Sequence, residues 1–355
     1  MRRAIEHARR GLGRTAPNPL VGACVVSDDG VVVGQGAHER AGEAHAEVHA
    51  LDEAGEAACG ATLYCTLEPC AHTGRTGPCT ERVIGAGIRR VVAAMEDPFP
   101  LVQGRGFEAL RARGIDVDVG VEHDAAVRLN QPYLSAVRTG RPFVTLKAAT
   151  SLDGRIAAAP GRRTQLTSLP SIRHAHGVRA QVDAVAVGSG TVLVDDPLLT
   201  VREVYRERPL TRVLFDRRLR VPPTARLFST LAAGPVIVLT STTAMRDSGV
   251  TLDALRATGV TVFAAERGDV RSGLQLLGSL GIQSVVLEGG AALHAAAWDE
   301  DVVDAVQLYV APVSLGGEGV PFLEGRGFIS TELIERRVDL LGPDVLIEGY
   351  VHRPH

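Results

Sequence analysis

Aromatic residues are scarce in this chain, and positive charge is not in excess. Phe, Trp and Tyr make up 4% of the 355 residues, whereas hydrophobic residues make up 45%. The cores must therefore be built mainly from Ala, Val and Leu, and a surface that stacks nucleic-acid bases is disfavoured. The formal net charge of −3 argues against a general nucleic-acid or membrane binder, so an anionic ligand would need local arginines.

Cysteine is missing from most of the sequence. The chain has five cysteines, and all of them lie within the first 80 residues. An odd number of cysteines, with no apolar export segment at the N-terminus, argues against a secreted protein held by disulfides. No apolar run is long enough to span a membrane. We therefore expect a soluble, cytoplasmic protein with no membrane or nucleic-acid partner.

Two domains are expected, because 355 residues exceed the size of one ordinary domain. Strand-like runs alternate with helical segments, which indicates an α/β architecture that begins with a hairpin turning at Asp28-Asp29-Gly30. Residues 138–142, "RTGRP", are typical of a junction. We predict a first domain over 1–122, a connecting helix and linker over 123–141, and a second domain over 142–355.

One histidine, one glutamate and two cysteines form the strongest candidate site. His45 and Glu47 lie near the start of a predicted helix over 44–57, and Cys70 and Cys79 each follow a proline. One nitrogen and two sulfurs leave the fourth position of tetrahedral zinc open for water, as in catalytic sites. Zinc would lower the pKa of that water, and Glu47 is the candidate for moving its protons.

Other zinc proteins predict different patterns. A zinc-protease helix places the glutamate directly after the first histidine, and Glu47 comes one position too late. A structural zinc module would need a fourth protein ligand, which Cys65 or His49 would have to supply. We expect His49 to be a packing residue, and Cys24, Cys59 and Cys65 to be core thiols.

His-x-Glu followed by Pro-Cys is the signature of zinc deaminases that act on nucleobases. The spacing in "CAHTGRTGPC", together with "HAEVHAL", "TLEPC" and "APNPLVGACVV", resembles the bifunctional deaminase–reductases of riboflavin biosynthesis. The resemblance implies a cytidine-deaminase-like α/β/α domain that deaminates 2,5-diamino-6-(5-phosphoribosylamino)pyrimidin-4-one. It implies one zinc ion on His45, Cys70 and Cys79, with Glu47 as the catalytic residue. The implied substrate-binding residues are Asn18, His38, His72 and Arg75.

Taken singly, the four substrate-binding candidates have ordinary alternatives. Asn18 in "APNPL" is also a common turn residue, and His38 and His72 would by themselves be read as surface histidines. Arg75 would by itself be a solvated loop charge.

The second half resembles the reductase domain of the same family, which is similar to dihydrofolate reductase in fold. The matching segments are "LKAATSLDGRIA", "VGSGTVLVDDPLLTVR" and "VVLEGGAALHAAAW", and no G-x-G-x-x-G supports a doubly wound fold. The resemblance implies that NADPH reduces the ribosyl group to a ribityl side chain. The implied cofactor-binding residues are Thr150, Gln165, Thr191, Asp195, Gly290, Ala291, Ala292, Leu293, His294, Ala295 and Ala296. The implied substrate-binding residues are Arg163, Arg179, Leu199, Arg202 and Glu288.

The residues themselves support this second site only in part. A Gly-Gly turn before a helix lets a backbone approach a phosphate, although such a turn often has no ligand. Arg179 and Arg202 suit a phosphate because a guanidinium offers planar, paired donors. Lys147 either assists reduction or is a strand lysine with a solvated tip, and Asp153 is expected to shape a turn.

One departure from the family pattern affects the reductase half. Arg163 and Gln165 stand where the family usually has a serine and a tryptophan, so an aromatic wall is missing and a cation is added. An enzyme with only the deaminase active, or with a changed reductase substrate, is therefore the alternative. The expected partners are a phosphorylated pyrimidine substrate and a second copy of the chain in a homodimer.

Overall fold

The computed structural model describes residues 1–72, 77–323, 325–326 and 328–352. Its contacts divide the chain into one unit over residues 1–139 and another that begins at Gly140. The segment predicted as a connector, 123–141, is therefore not separate from the two units, because residues 123–139 belong to the first one. It forms two helices whose apolar side chains, among them Ala126 and Leu134, are fully buried in the core of the first unit. Burial of that apolar face assigns these helices to the first unit.

The first unit has a five-stranded sheet in the order β2-β1-β3-β4-β5. β1 pairs antiparallel with β2 and β3, whereas β3, β4 and β5 run parallel. Its strands are β1 (Gly22–Val26), β2 (Val32–Ala37), β3 (Thr62–Cys65), β4 (Arg90–Ala93) and β5 (Asp116–Val119). Its helices are α1 (Arg2–Ala8), α2 (Ala46–Ala54), α3 (Cys79–Gly85), α4 (Arg105–Arg111), α5 (His123–Leu129) and α6 (Gln131–Thr139). The predicted hairpin is confirmed as β1 and β2.

Two glycines on β2 allow α2 to pack with its backbone against the strand. A Cβ atom on Gly34 would lie 2.1 Å from the carbonyl oxygen of Ala50, and one on Gly36 would lie 2.3 Å from that of Ala46. Any other residue would force the helix away from the sheet, because real Cβ atoms do not approach backbone oxygen so closely. The contact fixes the position of the N-terminal end of α2, where His45 and Glu47 lie.

The second unit has a nine-stranded sheet in the order β11-β10-β9-β8-β12-β6-β13-β16-β15 and a two-stranded sheet of β7 and β14. Its strands are β6 (Phe143–Thr150), β7 (Arg155–Ala157), β8 (Ala184–Gly188), β9 (Thr211–Phe215), β10 (Val236–Ser241), β11 (Thr261–Ala265), β12 (Ser284–Gly289), β13 (Ala305–Val310), β14 (Val320–Pro321), β15 (Ile334–Leu341) and β16 (Asp344–Tyr350). Its helices are α7 (Leu169–Gln181), α8 (Ser189–Asp195), α9 (Thr242–Asp247), α10 (Gly249–Ala257), α11 (Val270–Ser279) and α12 (Ala291–Asp299).

Seven strands of the large sheet, from β11 to β13, are parallel, and the other two form an antiparallel hairpin. The parallel strands match the buried apolar runs of the sequence, whereas the sequence analysis did not identify the hairpin of β15 and β16. Much of β15 is exposed, so its sequence lacks a continuous apolar run. Among the described residues, no helix has the length and hydropathy needed to cross a membrane.

His294 on α12 makes the stability of the second unit depend on pH. The side chain is 2% exposed, and burial lowers its pKa to about 4. Its Nε2 lies 3.3 Å from the carbonyl oxygen of Leu287, while Nδ1 has no partner among the described residues. An unfolded histidine takes up a proton near pH 6.5, so the unfolded state binds more protons between that pH and about 4.

We therefore expect the second unit to lose roughly 3 kcal/mol of stability as pH falls through this window. His294→Gln, which keeps a donor for the Leu287 carbonyl, should make the loss smaller. Trp298, the only tryptophan, lies on the same helix, so its fluorescence during urea unfolding reports on this unit. His352→Gln removes an exposed histidine of the same unit and serves as the control. Equal pH dependence in all three proteins would contradict the prediction.

Candidate functional site

The first candidate site lies where strands and helices of the first unit begin or end. His45 directly precedes α2, and Cys79 is the first residue of α3. Cys70 lies at the end of residues 66–70, the segment that follows β3. Pro78 precedes Cys79, as the sequence suggested, and fixes the backbone before the helix begins.

Three potential metal ligands lie together at this place. Nδ1 of His45 is 3.1 Å from Sγ of Cys79 and 3.6 Å from Sγ of Cys70. The backbone N–H of Cys79 donates to Sγ of Cys70 over 3.4 Å. The three ligand atoms all lie within 4.8 Å of one another, and among the residues described they form the only such group of at least three His, Cys, Asp or Glu side chains.

The three groups strongly perturb one another's protonation. The hydrogen bond from the Cys79 thiol lowers the pKa of Cys70 to about 4. The same contact raises the pKa of Cys79, and the hydrogen bond with Cys70 raises that of His45. Two sulfurs and an imidazole nitrogen so close together share protons that a divalent cation would displace. The donor set and its one open position fit zinc.

Glu47 lies beside this group and is not part of it. Its side chain is 3% exposed, and burial raises its pKa to about 6. Its Oε2 atom is buried without a hydrogen-bond partner among the residues that the structure describes. A buried carboxyl group with a pKa near neutrality, and one oxygen left unpaired, is equipped to take up and release a proton.

A cavity of about 480 Å³ opens onto Glu47 and His45. Two of the predicted substrate-binding residues meet in its wall, where Nδ2 of Asn18 donates to Nε2 of His38 over 3.0 Å. Nδ1 of His38 donates to the carbonyl oxygen of Ala44, and burial lowers the pKa of His38, so the ring is neutral. The expectation that His38 by itself would be a surface residue is wrong, because its side chain is 2% exposed.

The other two predicted residues have different outcomes. His72 lines the cavity, and its ring centroid lies 6.4 Å from that of Phe99. Arg75 falls outside the described residues, so its role stays a prediction.

Several residues of this cavity were not predicted from the sequence. Asp97 lies after β4 and accepts a hydrogen bond of 2.7 Å from the hydroxyl of Tyr133 on α6. Both residues line the cavity, as do Glu68 and Phe99. The acidic "EDP" sequence offered a weak signal for Asp97, but Tyr133 lies in a segment that the sequence assigned to a connector.

The other histidine and cysteines weighed as ligands or core thiols lie outside the group of three potential metal ligands. They are His49, Cys24, Cys59 and Cys65. Neither Cys65 nor His49 belongs to it, so the structure offers no fourth ligand from these two for a structural zinc module. Cys24 and Cys65 are buried thiols, as expected. The same expectation is wrong for Cys59, which is exposed because it follows the short helical turn of residues 55–58 at the surface.

A second cavity, of about 320 Å³, lies in the second unit. It brings together all five residues that the sequence assigned to the reductase substrate and three of the eleven assigned to the cofactor. Those that line it are Lys147, Arg163, Gln165, Arg179, Thr191, Asp195, Leu199, Arg202 and Glu288. Thr150 is buried at the end of β6, and residues 291–296 form the first turns of α12.

A buried ion pair dominates this second cavity. Nε and Nη2 of Arg179 donate to the two carboxylate oxygens of Glu288 over 2.6 and 2.5 Å, and Nη1 donates to the carbonyl oxygen of Thr200. Burial would raise the pKa of Glu288, but the charge and hydrogen bonds of Arg179 outweigh it and hold the pKa at about 2. The guanidinium of Arg179 is thus already engaged within the protein, which leaves less of it for a phosphate.

Lys147 and Arg202 are two further cations in the wall of this cavity. Nζ of Lys147 lies 5.4 Å from the centre of the Tyr309 ring, and burial lowers its pKa while Glu288 opposes that effect. The guanidinium of Arg202 lies 3.2 Å from Nε2 of His176, whose Nδ1 accepts from the Arg202 backbone. The sequence analysis did not predict His176 or Tyr309. Neither lines the cavity; each contacts a side chain that does, Arg202 and Lys147 respectively.

The glycine turn and α8 meet at the edge of β8 and β12. Gly290 has a φ of +82°, and a Cβ atom on it would lie 3.0 Å from Oγ1 of Thr191. Asp195, at the end of α8, has an Oδ1 atom that is buried without a hydrogen-bond partner among the described residues. Burial raises its pKa and the charge of Arg163 opposes the shift. Asp153 shapes a turn, as expected, by accepting from the backbone of Leu315 and Gly316.

Two different protein-family models match the two units of the chain. Residues 1–95 match the family model described as the cytidine and deoxycytidylate deaminase zinc-binding region. Residues 142–347 match the RibD C-terminal domain. The first match covers Glu47 and the three residues of the metal group, and the second covers all the residues of the second cavity.

Whole-chain relatives share both halves. The riboflavin biosynthesis protein RibD of Bacillus amyloliquefaciens is 42% identical over 352 residues, which cover 97% of this chain and 94% of that protein. RibD of Escherichia coli is 39% identical over 371 residues, covering 98% and 97%. The solved structure of Acinetobacter baumannii RibD, form 1, is 37% identical, with a TM-score of 0.87 over 99% of this chain and 98% of that one. A Thermotoga maritima structure, described as a diaminohydroxyphosphoribosylaminopyrimidine deaminase/5-amino-6-(5-phosphoribosylamino)uracil reductase, is 34% identical with a TM-score of 0.84, covering 99% and 97%.

Proposed function

The chain belongs to the RibD family of riboflavin biosynthesis proteins, and on that premise we propose a role for each of its two cavities. It is a bifunctional enzyme with a deaminase domain and a reductase domain. The first cavity deaminates 2,5-diamino-6-(5-phosphoribosylamino)pyrimidin-4-one. The second reduces the ribosyl group of the deaminated product to a ribityl side chain with NADPH. The observation that carries the proposal is the buried Glu47 beside His45, Cys70 and Cys79 in one cavity.

Zinc is the cofactor proposed for the first cavity. His45, Cys70 and Cys79 would hold it, and the perturbed protonation of the three groups supports this assignment. When bound, zinc would act as a Lewis acid and lower the pKa of a coordinated water. The unpaired Oε2 of Glu47 is the protein atom that would hold the proton taken up at the start of the reaction and deliver it to the leaving amine nitrogen. Asn18 and His38 orient the pyrimidine.

NADPH is the cofactor proposed for the second cavity and would supply the hydride. Gly290 directly precedes α12 and lies close to Thr191 in the cavity wall, and a helix N-terminus next to a glycine favours a phosphate; this supports the assignment. Thr191 and Asp195 would hold the cofactor beside it. Lys147, between Glu288 and the ring of Tyr309, is placed to support charge that develops on the sugar.

The substrate phosphate is assigned to Arg202. Arg179 already uses its paired donors on Glu288, whereas Arg202 contacts a neutral histidine and faces the same cavity. Arg163 adds a second cation to that wall. The deaminase-only alternative is not favoured, because the whole-chain relatives align through both halves. A homodimer and a cytoplasmic location stay predictions.

Oxidation of NADPH tests the proposed pair of reactions. The purified chain is given the diaminopyrimidinone substrate and NADPH, and ammonia release and absorbance at about 340 nm are followed together. We expect ammonia to appear first and NADPH to be consumed only after deamination. Ammonia release without NADPH oxidation, also when the deaminated product is supplied directly, would restrict the activity to the first unit.

Glu47→Gln should keep stoichiometric zinc and lose deamination by a factor of about 10² to 10⁴, because the amide cannot carry the proton. Zinc content by elemental analysis and initial rates of ammonia release check this. Reduction of the deaminated product by the same preparation is the internal control and should be unchanged. Deaminase activity near that of the wild type would remove Glu47 from the mechanism.

Arg202→Ala should raise the reductase KM by about tenfold or more with a smaller effect on kcat, because it removes binding to a part of the substrate that does not react. Deamination by the same protein should be unaffected. Arg256→Ala removes an exposed arginine from α10, which does not line the cavity, and is the matched control. An unchanged KM in Arg202→Ala would contradict the phosphate assignment.

A further inference from the structure

The carboxylate of Glu68 is buried, and the proposed deaminase chemistry does not use it. Its side chain is 3% exposed in the wall of the first cavity. Oε2 accepts from the backbone N–H groups of Asp97 and Gly104 over 3.2 and 3.0 Å. Oε1 accepts from those of Gly106 and Phe107 over 2.8 and 3.4 Å. One side chain thus binds four amides of a single segment.

This wall segment, residues 97–107, begins four residues after the last residue of β4, Ala93, and runs into the first turn of α4. It contributes Asp97, Phe99 and Val102 to the lining of the cavity. Between residues 97 and 104, all of them described, it contains neither strand nor helix, and its own backbone bonds are turn contacts such as Val102 to Phe99. The path of its backbone therefore depends on contacts from outside the segment. The hydrogen bonds of Glu68 are such contacts, and they hold both ends of the segment.

Close packing reinforces the hydrogen bonds. A Cβ atom on Gly106 would lie 2.0 Å from the carbonyl oxygen of Pro69 and 3.0 Å from Oε1 of Glu68. The wall segment thus rests directly on Glu68 and Pro69, and the next residue in the chain is Cys70. The position of the cavity wall is thereby tied to the segment after β3 that carries a proposed zinc ligand.

Only an ionised carboxylate satisfies this arrangement fully. It offers two oxygens that both accept, whereas the amide of glutamine has one accepting oxygen and an NH₂ group that would face backbone donors. Removal of the acceptors would leave buried N–H groups without partners, which is costly.

We propose that Glu68 is a positioning residue of the deaminase, which holds the wall segment in the place where Asp97, Phe99 and Val102 meet the pyrimidine substrate. The role rests on the proposed deaminase function. Among the described residues, Glu68 makes no hydrogen bond to a donor atom of the metal ligands. It makes none to the Oε2 atom of Glu47 either. Its loss should therefore weaken substrate binding more than the chemical step.

The test compares Glu68→Gln with Glu81→Gln. Glu81 lies two residues after Cys79, as Glu68 lies two residues before Cys70, but it is exposed on α3. Glu68→Gln should retain zinc, raise the deaminase KM by about tenfold and change kcat by less than about threefold. Glu81→Gln should behave as the wild type, and reductase activity should be equal in all three proteins.

Hydrogen exchange supplies a readout that does not depend on turnover. The amides of Asp97, Gly104, Gly106 and Phe107 should exchange faster in Glu68→Gln, and those of β1 should not. Unchanged exchange and an unchanged KM would overturn the proposal. A wild-type protein without deaminase activity would instead contradict the proposed function, and exchange would still decide whether Glu68 holds the segment.

Gly106→Ala covers the outcome in which Glu68→Gln loses zinc or does not fold. It leaves the carboxylate intact and displaces the wall segment from Pro69, since the added Cβ cannot fit at 2.0 Å. It should raise the deaminase KM in the same way while zinc is kept. A normal KM in Gly106→Ala would overturn the proposal, because the placement of the segment would then not matter for substrate binding.

Discussion

The packing of α2 against β2 is the contact on which the first site depends. The carbonyl oxygens of Ala46 and Ala50 reach the strand only because Gly34 and Gly36 have no side chains. This contact sets the height of the helix above the sheet, and His45 and Glu47 are carried at its N-terminal end. Glycine at these two positions is thus a requirement of the geometry, since any side chain there would separate the helix from the strand.

Both sites follow from the direction of parallel strands. In the first unit, the segments after β3 and β4 bring Cys70, Glu68 and Asp97 to one edge of the sheet. In the second unit, Glu288 near the end of β12 and Thr191 after β8 meet at the corresponding edge. Ligands of open α/β sheets bind outside the carboxyl ends of the strands, where loops can vary while the sheet holds their ends.

The sequence predicted residues whose signal is local and missed those whose role depends on distant contacts. The three proposed zinc ligands and Glu47 stand in short motifs, in which a proline precedes each of the two cysteines, and the structure brings the three ligands together beside Glu47. Tyr133 could not be predicted, because its contact with Asp97 joins α6 to the loop after β4, 36 positions apart. Glu68 is part of a recognised motif, but its four bonds reach residues 29 to 39 positions away.

The departure at residues 163–165 can be understood from the charges of the second cavity. Arg179 and Glu288 neutralise each other, so the pair adds little net field for an anionic ligand. Asp195 keeps an unpaired buried oxygen, and Arg163 is the cation that favours its charged form. An arginine at this position therefore offsets the charge of the Asp195 carboxylate, and on the proposed function it would add a second cation for the substrate phosphate. On that assignment, a neutral residue there would leave the charge of Asp195 unopposed in the cavity where Arg202 is proposed to bind the phosphate.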